Sequence, residues 1–187
     1  MLAPGHCPGA KWGEEMDIYV VRHAYAYEHG DPRWPDDSQR PLAPEGAERF
    51  AKLVETLASR GFEPHVIATS PYVRCRQTAD IIATGVTTKP DVVEFDALTP
   101  GSDFEALVEW SRQFVHGESI AWVGHAPDVS WLTARLIGDG EGMIRFAKGA
   151  IAAIRIPTEI EEGGGQLSWL ATAKLLGIEK PVATSDD

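Results

Sequence analysis

The sequence predicts an α/β protein, a three-layer α/β/α sandwich built on a mixed, mainly parallel sheet. From residue 17 to residue 137, short apolar runs alternate with amphipathic segments, the mark of strand–helix–strand units. Near the end, two apolar runs are separated only by a turn, as in a hairpin added to a sheet edge. A length of 187 residues suits one domain with a substantial core.

The first strand is the Val-rich run Asp17-Ile18-Tyr19-Val20-Val21, which ends in Arg22-His23. A polar stretch from Tyr25 to Arg40, with Gly30, Pro32 and Pro35, then reads as a loop long enough to cover or select a substrate. Pro44-Glu45-Gly46 opens an amphipathic helix through Ala47, Phe50, Leu53, Val54, Leu57 and Ala58, stopped by Gly61. His65–Thr69 is a buried strand, and Ser70-Pro71 reads as the cap and first turn of a helix carrying Val73, Ala79, Ile81 and Ile82. Val92-Val93 suggests a third strand. After the turn Leu98–Gly101, Ser102 or Asp103 caps a helix running to Val115. Strand 119–123 ends in Gly124-His125, and a helix starts near Pro127 with Val129, Leu132, Leu136 and Ile137. Gly149–Ile156 and Gln166–Ala173 form the hairpin. No internal repeat and no linker divides the chain.

Residues 1–15 carry several Pro and Gly residues and no apolar stretch of the kind a signal peptide needs. They read as a disordered leader ahead of a single domain at 16–187, with Met16 a second candidate for the start. No run reaches the roughly 20 apolar residues of a membrane span. The 17 basic and 28 acidic side chains give a formal charge of −11, which argues against nucleic acid and anionic membranes as partners. Cys7 and Cys75 stand in unlike settings and suggest neither a disulfide scaffold nor a metal site, so a reducing, cytoplasmic location is the expectation.

Ligands of open α/β sheets bind beyond the carboxyl ends of the strands. Three unrelated segments put cationic or imidazole groups at that edge: Arg22-His23, Ser70 through Arg74, and Gly124-His125. Cations gathered in an acidic protein need a local reason, and an anion site supplies one; neutralisation by Asp and Glu is the plainer alternative. The chemistry such a set fits is phosphoryl transfer. Arginine presents a planar donor fork that matches phosphate oxygens, and a neutral imidazole can attack phosphorus and hold the group covalently. The arrangement requires no metal and no cofactor. His6, His29, His65 and His116 lack zinc-ligand spacing, and Asp36-Asp37 alone is too little for magnesium.

A family resemblance rests on these same segments. Arg22-His23-Ala24 resembles the Arg-His-Gly signature of the histidine phosphatase superfamily, the phosphoglycerate mutase-like proteins. Ser70-Pro71-Tyr72-Val73-Arg74-Cys75-Arg76-Gln77-Thr78-Ala79 resembles its second signature, and Gly124-His125 its third. Within that superfamily, Arg40-Pro41-Leu42, Leu98-Thr99-Pro100, the Gly149-Ala150-Ile151 strand entry and the short chain are most similar to the SixA-type phosphohistidine phosphatases. The resemblance implies a phosphoglycerate mutase-like fold and a phosphatase whose nucleophile is His23. It implies that Arg22, Arg74 and His125 clamp the phosphoryl oxygens, that Arg40 is a further phosphate-side arginine, and that phosphate or sulfate would occupy the pocket. The substrate it implies is a histidine-phosphorylated signalling protein. The alternatives are a small-molecule phosphomonoesterase of the same superfamily and a non-catalytic module that binds phosphate or phosphoprotein.

Larger mutase-like proteins place a general-acid carboxylate after the third strand, where this chain reads Glu94-Phe95-Asp96. Asp96 or Glu94 is then either the acid or a solvated loop residue. A phosphohistidine leaves as an imidazole nitrogen and needs less help than an alkoxide. Ala24 in place of Gly is tolerable if the backbone there is not left-handed. Arg76, two residues from Arg74, belongs on another helix face, on the surface or in a salt bridge. Cys75 lies one residue round the helix from Arg74. Trp34 faces the substrate or anchors its loop; Asp128 orients a ring or caps its helix; Trp110, Trp122, Trp131 and Trp169 read as core.

Overall fold

The computed structural model describes residues 15–114 and 117–179. Six strands form one sheet in the order β3-β2-β4-β1-β5-β6. They are β1 (Met16–Arg22), β2 (Val66–Thr69), β3 (Asp91–Glu94), β4 (Ile120–Gly124), β5 (Ile151–Ile156) and β6 (Gln166–Ala171). β1, β4, β2 and β3 run parallel, whereas β5 and β6 join antiparallel at one edge as the expected hairpin. The expectation of a leader over residues 1–15 falls, apart from Glu15, outside the described residues.

Alternation along the strands builds the three layers. Ile18 and Val20 of β1 join Ala68, Trp122 and Ile154 under helices α3 (Phe104–Ser111) and α4 (Asp128–Ile137). Tyr19 and Val21 face the opposite way, joining Ile67, Val123 and Ala153 against α1 (Pro44–Ala58) and α2 (Val73–Gly85). The central strands are buried on both faces, which is why β2 and β4 read as unbroken apolar runs.

Some local expectations change. Ser70 does not cap α2: the helix begins at Val73 with Tyr72 as its capping position and no side-chain cap. Asp103 caps α3 by accepting from the Ala106 N–H at 3.0 Å. That helix ends at Ser111, and the Val115 to which it was expected to run is outside the described residues. Trp131 is not core but 38% exposed, because the buried stripe of α4 is Val129, Leu132 and Leu136 and position 131 lies off it. Its indole instead meets the Arg135 guanidinium at 5.2 Å. Trp122 is fully buried. Trp110 and Trp169 are only half-buried at the margins of the two cores.

Candidate active site

The carboxyl end of β1 is fixed from both sides. The His23 N–H donates to Gly124 O of β4, the His23 carbonyl accepts from Gly149, and the Arg22 N–H donates to Ala150 O, each at 3.0 Å. Gly149 has φ of +75°, and a side chain there would press on Phe50, so glycine is required where β5 turns in beside the histidine. Ala24 is buried with no positive φ, and its N–H donates to Thr78 Oγ1 at 3.1 Å, so the extra methyl group is accommodated.

His23 is 7% exposed. Its Nδ1 lies 2.8 Å from Ala24 O, and since a carbonyl only accepts, Nδ1 carries the proton and Nε2 keeps a bare lone pair. Burial, reinforced by the positive charge of Arg74, pushes its pKa down from 6.5 to about 3. The ring is therefore neutral across the physiological range, with Nε2 in the form a nucleophile needs.

His125 stands with its ring centroid 5.5 Å from that of His23, within the span of one phosphoryl group. Its Nδ1 is 3.3 Å from Arg74 Nη2, which can only donate, so the proton sits on Nε2 and is given to Ser70 Oγ at 2.9 Å. Burial, then Arg74, lowers the His125 pKa to about 4. Cys75 Sγ lies under the same ring, 3.5 Å from Nε2; burial pushes its thiol up to about 12, so it packs and does not attack.

The arginines are held by carbonyls and by one carboxylate. Arg22 Nη1 donates to Phe146 O at 2.8 Å. Arg74 Nη1 donates to Asp37 O at 2.7 Å, and its Nη2 lies 3.0 Å from Asp37 Oδ2. Arg40 gives Nε to Asp37 Oδ1 at 2.8 Å and Nη1 to Tyr27 O at 2.6 Å. The Nε–H donors of Arg22 and Arg74 are buried and have no partner among the described residues.

Arg22, His23, Arg40, Arg74 and His125 thus line one cavity of about 440 Å³. Glu94 and Asp96 do not line it. β3 is an edge strand, three places from β1, and Glu94 there pairs outward with Arg76 at 3.3 Å. The carboxylates that do line the cavity are Glu28, Asp37 and Asp128. Asp128 does not cap α4; its Oδ2 accepts the Gly101 N–H at 2.9 Å and pins the Leu98–Gly101 turn to the cavity wall. Trp34 stacks on Tyr27 at 4.7 Å, with Arg33 over both rings, which anchors the long loop. Sequence reasoning missed Ser70 as the partner of His125 and Asp37 as the hub of the arginines. The signal for Asp37 was its place three residues before Arg40, within reach of an opposite charge.

A buried neutral imidazole with a bare nitrogen, faced by arginines at the strand ends of an α/β sheet, defines a phosphoryl-handling protein. The model of the histidine phosphatase superfamily (branch 1) matches residues 18–164, and the chain belongs to that superfamily. A Picosynechococcus protein of uncharacterised function is 29% identical over 143 residues, 75% of this chain and 85% of that protein. The phosphohistidine phosphatase SixA of Escherichia coli is 27% identical over 170 residues, 89% of this chain and 100% of that protein. The structure of the protein histidine phosphatase SixA complexed with tungstate has a TM-score of 0.73 at 25% identity, covering 86% of this chain and 99% of that one. A phosphoglycerate mutase from Bacillus anthracis shares the fold, with a TM-score of 0.63 at 10% identity over 89% of this chain and 97% of its own.

Proposed function

We propose that this protein is a phosphatase that works through a phosphohistidine formed on His23, and that its substrate is phosphohistidine on a signalling protein. The observation that carries the reading is a bare His23 Nε2 in one cavity with Arg22, Arg40, Arg74 and His125. In the first half-reaction Nε2 attacks phosphorus while the arginines hold the non-bridging oxygens, whose charge rearranges in the transition state. In the second half-reaction water releases inorganic phosphate.

The substrate class is supported by the likeness to SixA-type proteins and by the absence of Glu94 and Asp96 from the cavity wall, since an imidazole leaving group makes a smaller demand on an acid than an alkoxide does. A cytoplasmic setting is part of the same reading.

A labelled phosphodonor tests the proposal. Quenching should trap an acid-labile, alkali-stable phosphoenzyme that is absent from His23→Ala, and label retained in that variant would refute the assignment. Comparing kcat/KM on a phosphohistidine protein with a panel of phosphate esters tests the substrate. A preference of more than about tenfold for the esters, equal to about 1.4 kcal/mol in the barrier, would favour a small-molecule phosphomonoesterase instead. Binding of phosphoprotein without turnover on any donor would favour a non-catalytic module.

A further inference from the structure

We propose that His29, held by Asp37, is the proton donor and acceptor of this site: it protonates the departing nitrogen in the first half-reaction and deprotonates the attacking water in the second. The inference rests on the phospho-His23 reading above.

The cavity contains few groups free to move a proton. His23 is the nucleophile, and both nitrogens of His125 are engaged, by Ser70 and by Arg74. Asp37 lies between Arg40, Arg74 and His29. The Arg40 hydrogen bond first, then those of His29 and the nearby Arg74, hold its carboxyl well below the usual range, so it stays ionised and gives up no proton. Asp128 is engaged by the Gly101 amide, and Glu28 accepts the Tyr25 hydroxyl at 2.8 Å.

His29 differs from all of these. It sits on the turn before Gly30, whose φ is +81°, and is one of the residues that line the same cavity. Its Nδ1 lies 2.9 Å from Asp37 Oδ1, and a carboxylate can only accept, so Nδ1 carries a proton in either charge state of the ring. That leaves Nε2 as the nitrogen that exchanges its proton. A histidine oriented by a carboxylate is a common form of general acid and base, and the carboxylate stabilises the imidazolium as it forms. The His29 side chain is 82% exposed, so it can equilibrate with solvent between turnovers.

The steps balance around an imidazolium His29 as the starting form. The His23 Nε2–P bond forms as the substrate P–N bond breaks, the bonding pair goes to the substrate nitrogen, and His29 Nε2–H supplies its proton. Water oxygen then bonds to phosphorus as the His23 Nε2–P bond breaks and its pair returns to His23. The released water proton goes to His29 Nε2, which restores the starting form.

The experiment separates formation from breakdown of the phosphoenzyme in unsubstituted protein, His29→Gln and Glu28→Gln. His29 is exposed, so its replacement leaves the core untouched. In His29→Gln we expect phospho-His23 to form at near the normal rate from phosphoramidate, whose nitrogen is already protonated and needs no acid to leave, and to break down about 100-fold more slowly. The phosphoenzyme then accumulates, and added free imidazole restores its hydrolysis. Breakdown in His29→Gln within about twofold of normal overturns the proposal, as does slowing in Glu28→Gln alone. Failure of the underlying reading looks different: the unsubstituted protein itself then carries no label on His23.

Discussion

Acidification should unfold this protein through its own active site. His23 and His125 are 7% and 4% exposed, and burial, reinforced by the arginines, depresses their pKa values from 6.5 to about 3 and about 4. A histidine whose folded pKa lies below its unfolded one takes up a proton first in the unfolded chain. Its contribution is harmless above pH 6.5 and destabilises progressively as pH falls toward the folded values. At about pH 5 each group favours the unfolded state by about 2 kcal/mol, because the unfolded imidazole is almost fully protonated and the folded one is not. Together they remove about 4 kcal/mol, a large share of the roughly 5–15 kcal/mol that holds a domain folded. Urea unfolding followed by circular dichroism, in phosphate-free buffers between about pH 7.5 and 5, reads this directly. The same series on His125→Asn should lose only about half as much stability. A flat profile in the unsubstituted protein, or an equal loss in the variant, would refute the argument.

Two further substitutions test the framework around the site. Arg74→Lys replaces a fork that serves the Asp37 carbonyl, the Asp37 carboxylate and His125 with a single ammonium, so kcat/KM should fall by roughly 100-fold, equal to about 2.7 kcal/mol; a change below about threefold would contradict it. In Gly46→Ala the new Cβ would fall 2.1 Å from Tyr25 O, so the gain of about 1 kcal/mol expected from helix propensity should become a loss of about 1–3 kcal/mol, checked by thermal melting.

The layers of the fold were legible because each element obeys one period. The apolar runs at β1, β2 and β4 are buried on both faces, and the α1 pattern from Phe50 to Leu57 is the stripe that packs on Tyr19 and Val21. The groups on the cavity floor were legible for a related reason. Strand ends of a parallel sheet converge, so Arg22-His23, Arg74 and Gly124-His125 had few other places to go. The lining contributed by the long loop was less legible. Glu28, His29 and Asp37 reach the cavity through a bridge between Ala26 and Leu42 and a Tyr27–Arg33–Trp34 stack, and neither has a period to read. The carboxylates at 94 and 96 followed from chain order, but sheet order put their strand at the edge. Ser70 shows how a local rule can point to the wrong partner: Ser-Pro is a good helix start, yet the hydroxyl is used across the sheet.

That use makes Ser70 a test of how the site holds its second histidine. Arg74 Nη2 cannot accept a hydrogen bond, so it requires the bare nitrogen of His125 on its side and forces the proton onto Nε2. Nε2–H then needs an acceptor in a place sealed from water, and Ser70 Oγ at 2.9 Å is that acceptor. In Ser70→Ala the buried donor is left with only the weak Cys75 sulfur acceptor at 3.5 Å, which costs about 1–3 kcal/mol of stability. The ring escapes this by moving, or by shifting its proton to Nδ1, where it meets the Arg74 donor head-on. Either response disturbs Arg74 as well as His125, so loss of one hydroxyl should lower kcat/KM by about tenfold to 100-fold. Phosphoenzyme formation should slow together with turnover, because the clamp serves the first phosphoryl transfer. This separates Ser70→Ala from His29→Gln, in which formation from phosphoramidate survives and breakdown fails. Activity of Ser70→Ala within about twofold of normal, with the fold weakened as expected, would show that the hydroxyl serves stability alone and that His125 keeps its orientation without it.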